Sequence, residues 1–242
     1  MTAVNGRPSG SARRPRFAVV DYGAGNLVSI DEALRRVGGE VVLARDREAI
    51  RTADALVVPG VGAAGPAMAR LARLGLDDAI RTWIAEGRPY LGICLGLQLL
   101  FDGSDEDGAT TLGVISGRAV QLADAPTLPH IGWNQVERNV EHALFARIAT
   151  DADFYFVHSF AGVPVGPAAN DAVIARTTHG STFVSAIARD NVIGVQFHPE
   201  RSGADGLRLL ANVVTLVGSG GLAGGPGRPV PIVPVPIVAV PA

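Results

Sequence analysis

The stretch Pro89-Tyr90-Leu91-Gly92-Ile93-Cys94-Leu95-Gly96-Leu97-Gln98-Leu99-Leu100-Phe101 admits few folds. An apolar run of strand length meets a run of helical spacing, with Cys94 at the junction and Gly92 and Gly96 two residues to either side. This is the Gly-x-nucleophile-x-Gly pattern of a strand–turn–helix elbow. The glycines leave room for a strained turn and for packing of the helix on the strand. Such an elbow pushes its central side chain out at the carboxyl edge of a sheet, where a helix N-terminus favours a thiolate and offers N–H groups to an anion. Taken alone, Cys94 reads equally as a nucleophile or as a small buried hydrophobe.

The segments around the elbow predict an α/β fold with a mostly parallel sheet covered by helices. Arg16 to Val20 is a strand that runs into the loop Asp21-Tyr22-Gly23-Ala24-Gly25-Asn26 and a helix to about Val37. Glu40 to Ala44 and Asp54 to Val58 are further strands, the latter ending in Pro59-Gly60-Val61-Gly62. Helical spacing covers Ala64 to Leu74 and Asp77 to Glu86. Ligand sites of such sheets lie at the carboxyl ends of the strands. The glycine loop after the first strand is neither a full GxGxxG nor a Walker pattern, and reads as a tight strand-to-helix turn.

The second half predicts successive strands, many antiparallel, over Gly113 to Leu122, His130 to Glu137, Asp153 to His158, Ala172 to Thr177, Ser181 to Ala188 and Val192 to Phe197. A helix from about Ala204 to Val217 closes the domain. The expected boundaries are a disordered lead-in over residues 1–15, one domain over 16–217, and a Gly- and Pro-rich disordered tail over 218–242.

Composition narrows the function. A net charge of -2 gives no reason to expect nucleic acid or an anionic membrane as partner. All 21 basic residues are arginines, which excludes a lysine nucleophile. A single cysteine argues against a secreted disulfide scaffold, and no apolar run has the length of a membrane span. The expected compartment is the cytoplasm. The five histidines show none of the spacings of a zinc site, so no metal is expected.

Gly194-Val195-Gln196-Phe197-His198-Pro199-Glu200 is the second stretch that carries chemistry. Pro199 biases His198 to extended geometry, and in an extended segment residues two apart share a face. Glu200 can then orient the His198 ring. If this segment returns to the elbow, Cys94, His198 and Glu200 are nucleophile, base and orienter; a solvated surface turn is the alternative reading of His-Pro-Glu alone. An oxyanion needs donors. The backbone N–H of Leu95 is one by elbow geometry, and Val61 or Gly62 supplies a second. His158 either lines the site or is a satisfied buried histidine.

These stretches occur in the order found in class I (triad-type) glutamine amidotransferases. The chain resembles that family, and more narrowly the glutaminase subunits of imidazole glycerol phosphate synthase. The broad likeness rests on Pro59-Gly60-Val61-Gly62, Gly92-Ile93-Cys94-Leu95-Gly96-Leu97-Gln98 and His198-Pro199-Glu200. The narrower one rests on Asp21-Tyr22-Gly23-Ala24-Gly25-Asn26-Leu27, Pro129-His130-Ile131-Gly132-Trp133-Asn134, Phe154-Tyr155-Phe156-Val157-His158-Ser159 and His198-Pro199-Glu200-Arg201-Ser202-Gly203.

The resemblance implies hydrolysis of glutamine through a Cys94 thioester. Ammonia would pass to a (β/α)₈-barrel cyclase subunit in a heterodimer that makes imidazole glycerol phosphate and an aminoimidazole carboxamide ribotide for histidine biosynthesis. It implies Gln98 and the backbone of Gly62, Ser159 and Phe160 as glutamine contacts, and Asn26, Trp133, Tyr155 and Arg201 toward the partner. It implies no cofactor. Two positions depart from the family pattern: Arg201 stands where lysine is usual, and Phe160 where tyrosine is usual. Rival readings are the glutaminase of aminodeoxychorismate or anthranilate synthesis, and a non-catalytic regulatory subunit.

Overall fold

The structure is a computed structural model and describes residues 13–222. Its strands are β1 (Arg16–Val20), β2 (Glu40–Ala44), β3 (Ala55–Gly60), β4 (Tyr90–Cys94), β5 (Gly103–Ser104), β6 (Gly117–Gln121), β7 (His130–Gln135), β8 (Glu137–Arg138), β9 (Asp153–His158), β10 (Phe160–Pro164), β11 (Val173–His179), β12 (Ser181–Arg189) and β13 (Val192–Val195). Its α-helices are α1 (Leu27–Arg36), α2 (Arg47–Arg51), α3 (Ala64–Arg73), α4 (Leu76–Ala85), α5 (Leu95–Gln98), α6 (Pro167–Asp171) and α7 (Gly203–Gly218).

The main sheet has eight strands in the order β2-β1-β3-β4-β13-β12-β11-β8. The first five of that order run parallel, and β12, β11 and β8 run antiparallel. Alternation along each central strand divides the core. Phe17, Val19 and Val57 pack with α1 and α7 on one face, whereas Ala18, Val20, Leu56 and Val58 pack with α3 and α4 on the other. A separate ribbon pairs β7 with β9, and a small sheet joins β10, β6 and β5.

Topology sets the carboxyl ends of β1, β3, β4 and β13 side by side. The register puts Gly60 beside Cys94, and Val195 beside Ile93. The chain leaving β13 therefore passes Cys94 at once, which answers whether His198 returns to the elbow. The last strand of the domain enters between β4 and β12, and only this parallel insertion brings residue 198 to residue 94.

Three expectations change. The helix after Cys94 is a single turn, Leu95–Gln98, after which Leu99 to Phe101 continue as turns that carry Leu112, Gly113 and Val114 on their carbonyls. A helix this short contributes a weak dipole, so the anion-binding character of the elbow rests on its individual N–H groups. The strand expected from Gly113 begins only at Gly117. At the C-terminal end α7 runs through Gly218, and Leu222 is buried, so packing extends into the expected tail. Residues 1–12 and 223–242, which hold most of the two expected extensions, lie outside the described residues.

Candidate active site

Cys94 holds φ 53° and ψ -108°, a left-handed conformation for a non-glycine residue. Such a backbone costs on the order of 1–3 kcal/mol and persists only where the surroundings impose it. Here the glycines do so. A Cβ on Gly96 would overlap the Val58 carbonyl oxygen, and one on Gly92 would lie 2.5 Å from the Gly96 oxygen. The buried Tyr90 hydroxyl donates to that same oxygen at 2.9 Å and closes the turn.

His198 Nδ1 lies 2.8 Å from Glu200 Oε1, and both side chains are almost fully buried. The other ring nitrogen, Nε2, is buried without a hydrogen bond. Burial alone lowers the ring's affinity for a proton, but the nearby Cys94 sulfur and then Glu200 outweigh it, and His198 is pushed up from 6.5 to about 10. At neutral pH the ring is an imidazolium between a sulfur and a carboxylate.

The sulfur borders a cavity of about 170 Å³ lined by Gly62, Cys94, Leu95, Gln98, Glu106, Pro129, Val157, His158, Ser159 and Phe160. Every glutamine-contact residue expected from the sequence is on this wall, as are the oxyanion candidates Gly62 and Leu95. Val61 is exposed and does not line the cavity. Gln98 donates from Nε2 to the Phe160 carbonyl at 2.7 Å and to Gln196 Oε1 at 3.2 Å.

Sequence reasoning missed two residues here. Glu106 lines the cavity, and its carboxyl is pushed up by burial and then by Asp107. It sits in Asp105-Glu106-Asp107, whose acidity reads as a solvated loop. Gln196 is fully buried and donates to Cys94 Sγ at 3.6 Å. Its period-two relation to His198 was the available signal.

The loop after β1 turns out to support the one after β3. The buried Tyr22 hydroxyl donates to the Pro59 carbonyl at 3.0 Å, and a side chain on Gly60 would collide with it. Three of the four partner-side candidates meet on the surface. The Arg201 guanidinium lies 4.1 Å over the Tyr155 ring, and Trp133 stands edge-on to Tyr155 at 6.1 Å. Trp133 is 56% exposed, beside an equally exposed Ile131. Asn26 instead caps α1, accepting from Ser29 N at 3.3 Å. Among the described residues no group of three His, Cys, Asp or Glu is arranged to hold a metal, and no helix is long and apolar enough to cross a membrane.

A family model described as Glutamine amidotransferase class-I matches residues 18–216. The imidazole glycerol phosphate synthase subunit HisH of Symbiobacterium thermophilum is 49% identical over 200 residues, which span 81% of this chain and 92% of that protein. Its namesake from Aquifex aeolicus is 46% identical over 199 residues, spanning 81% and 95%. Among solved structures, that of PurLQS from Thermotoga maritima aligns with a TM-score of 0.66 at 20% identity, covering 84% of this chain and 98% of that one. This last likeness is one of fold.

Proposed function

The chain belongs to the class-I glutamine amidotransferases, and from that membership we infer that it is the glutaminase subunit of an imidazole glycerol phosphate synthase. The identity of 49% to a subunit of that synthase, over nearly its whole length, carries the inference. The cavity at Cys94 gives it a chemistry.

Cys94 Sγ attacks the side-chain amide carbon of glutamine, and the carbonyl oxygen takes the negative charge. The backbone N–H groups of Leu95 and of Gly62 or Val61 receive that oxyanion; one such donor is typically worth about 3 kcal/mol in the transition state. His198, held as a cation against Glu200, gives a proton to the amide nitrogen, and ammonia leaves a thioester. Water then attacks the thioester while His198 takes its proton, and glutamate departs with the thiolate and the imidazolium restored.

The wall suits a zwitterionic amino acid. Glu106, an exposed carboxylate at the cavity wall, offers a partner to the α-ammonium. Both amide hydrogens of Gln98 are committed to Phe160 and Gln196, so its Oε1 is the acceptor left for substrate. Ser159 and Phe160 contribute backbone groups.

The relatives' description as subunits implies a partner subunit. We take that partner to be the (β/α)₈-barrel cyclase, which uses the ammonia to form imidazole glycerol phosphate in histidine biosynthesis. The exposed row Trp133–Tyr155–Arg201 is the proposed contact with it, and Asn26 contributes through the N-terminal end of α1. Arginine in place of lysine at 201 keeps the charge and adds stacking on Tyr155. The reading carries with it a cytoplasmic site of action, where a free thiol stays reduced.

The test is glutamate release from glutamine by this chain with a cyclase subunit and its ligand, wild type against Cys94→Ala. Release in the wild-type complex and none in the variant is the expected result. No release from a well-formed complex would overturn the reading. Support of anthranilate or aminodeoxychorismate synthesis instead would reassign the partner.

A further inference from the structure

A run of buried and part-buried hydrogen bonds connects the surface ribbon to the nucleophile. Asn134 Nδ2 lies 3.3 Å from His130 Nε2, His130 Nδ1 lies 3.2 Å from His158 Nε2, and His158 Nδ1 lies 2.9 Å from the Phe160 carbonyl. That carbonyl also accepts from Gln98, whose amide bonds Gln196, whose amide in turn donates to Cys94 Sγ. The path begins next to Trp133 and ends on the sulfur.

Its direction is forced. A carbonyl only accepts, so His158 carries its proton on Nδ1 and accepts at Nε2. His130 must then also carry its proton on Nδ1 and accept at Nε2. Asn134 must present its amide N–H₂, a group it also uses toward the Thr178 carbonyl at 2.9 Å. No member can reverse without setting two donors or two acceptors face to face.

We propose that His130 and His158 are positioning residues for the thioester chemistry, both fixed as Nδ1–H tautomers, which hold the Phe160 carbonyl and through Gln98 and Gln196 the donor at Cys94. This rests on the glutaminase reading only for what the thiol attacks; the alignment of the sulfur is independent of it.

The surroundings fit rings that stay uncharged. Both are about 95% buried. Phe156 stacks on His130 at 5.0 Å, Phe183 stands edge-on to His158 at 4.9 Å, and His179 stacks on His130 at 4.1 Å. No carboxylate is among these neighbours. Burial, and then His179, push His130 down to about 4; burial pushes His158 down to about 3 against the pull of the Phe160 carbonyl. His179 is anchored separately by the Thr127 carbonyl at 3.0 Å. One protonated ring would put N–H against N–H and break the path.

Three measurements test this on the full chain. ¹⁵N NMR of the wild type should show the Nδ1–H tautomer at both His130 and His158, although free neutral imidazole prefers Nε2–H. Cys94 alkylation by iodoacetamide should slow about tenfold in His158→Phe, which keeps a ring and loses both bonds, about 1.4 kcal/mol of alignment. His158→Gln, with a donor and an acceptor on one side chain, should recover most of that rate. Asn134→Asp, isosteric but unable to donate, should move His130 to Nε2–H and slow alkylation similarly.

An Nε2–H tautomer at either wild-type ring overturns the proposal. So does wild-type alkylation in Asn134→Asp, or equal rates in the Phe and Gln variants, which would mark His158 as packing alone. Alkylation needs no glutamine. The expected NMR and alkylation pattern without glutamate release would leave the relay standing and defeat the glutaminase reading, and the converse pattern would do the reverse.

Discussion

Glu200 holds His198 from two residues away, at 2.8 Å through Nδ1, and so aims Nε2 toward Cys94. Pro199 keeps His198 extended at φ -103° and ψ 93° and then opens a 3-10 turn over Pro199–Arg201, so the Glu200 carboxylate reaches the ring from that turn and not from the extended run expected from the sequence. Glu200→Gln keeps the shape and removes the charge that supports the imidazolium. Its kcat for glutamine hydrolysis in the complex should fall about a hundredfold or more, with little change in thermal stability. An unchanged kcat would remove Glu200 from the catalytic set.

The proton that the Cys94 sulfur and then Glu200 hold on His198 makes stability pH-dependent on the alkaline side. His198 titrates at about 10 in the folded chain, against 6.5 for an ordinary histidine. A raised pKa means the folded state holds a proton that the unfolded state has lost. The stabilisation is complete below pH 6.5 and disappears as pH rises through 10. The difference in urea midpoint between wild type and His198→Asn should shrink steadily across that window. A constant difference would show that the ring is not held charged.

Much of this site was legible in the sequence, because its chemistry sits in short local patterns. Gly92-x-Cys94-x-Gly96 encodes its own turn, whereas His198-Pro199-Glu200 pointed to the right pair through an extended run where the structure has a 3-10 turn over Pro199–Arg201. What was not legible depends on long-range pairing. Gln196 meets Cys94 only because β13 inserts beside β4, 98 residues after Gln98 in sequence. The single-turn α5 escaped because Leu97 to Phe101 keep helical spacing while the carbonyls of Leu99 to Phe101 are taken by Leu112 to Val114. Leu222 escaped because glycines on both sides mask one buried leucine.

Gly96 tests whether the elbow is shaped by exclusion. A methyl there meets the Val58 carbonyl, a backbone atom of the central sheet that cannot swing aside. Gly96→Ala should lose about 2–3 kcal/mol, which for a domain of this size lowers Tm by about 5–10 °C. Cys94 alkylation should slow as well. A variant as stable as wild type would mean the turn has room that its geometry denies.

Trp133 tests the surface row. It is more than half exposed, rigid and aromatic, next to Ile131 and braced by Tyr155 and Arg201. Trp133→Ala should weaken binding to the cyclase subunit about thirtyfold, a typical loss for an aromatic at the centre of an interface. Folding of the free chain should be unaffected. Calorimetric titration with equal affinities would move the contact elsewhere.

Acid should act through the other two histidines, with the opposite sign. His158 titrates at about 3 and His130 at about 4 when folded, so between those values and 6.5 it is the unfolded chain that takes up protons. The stability they secure is present above pH 6.5 and is lost as pH falls through that range. Wild type should therefore show a falling urea midpoint from pH 7 to pH 4. His158→Gln removes one of the two groups without removing its hydrogen bonds, so its midpoint should start near wild type at pH 7 and fall less steeply. Parallel curves would mean that His158 already accepts a proton in the folded chain, which the carbonyl on one side of it and the His130 N–H on the other do not allow.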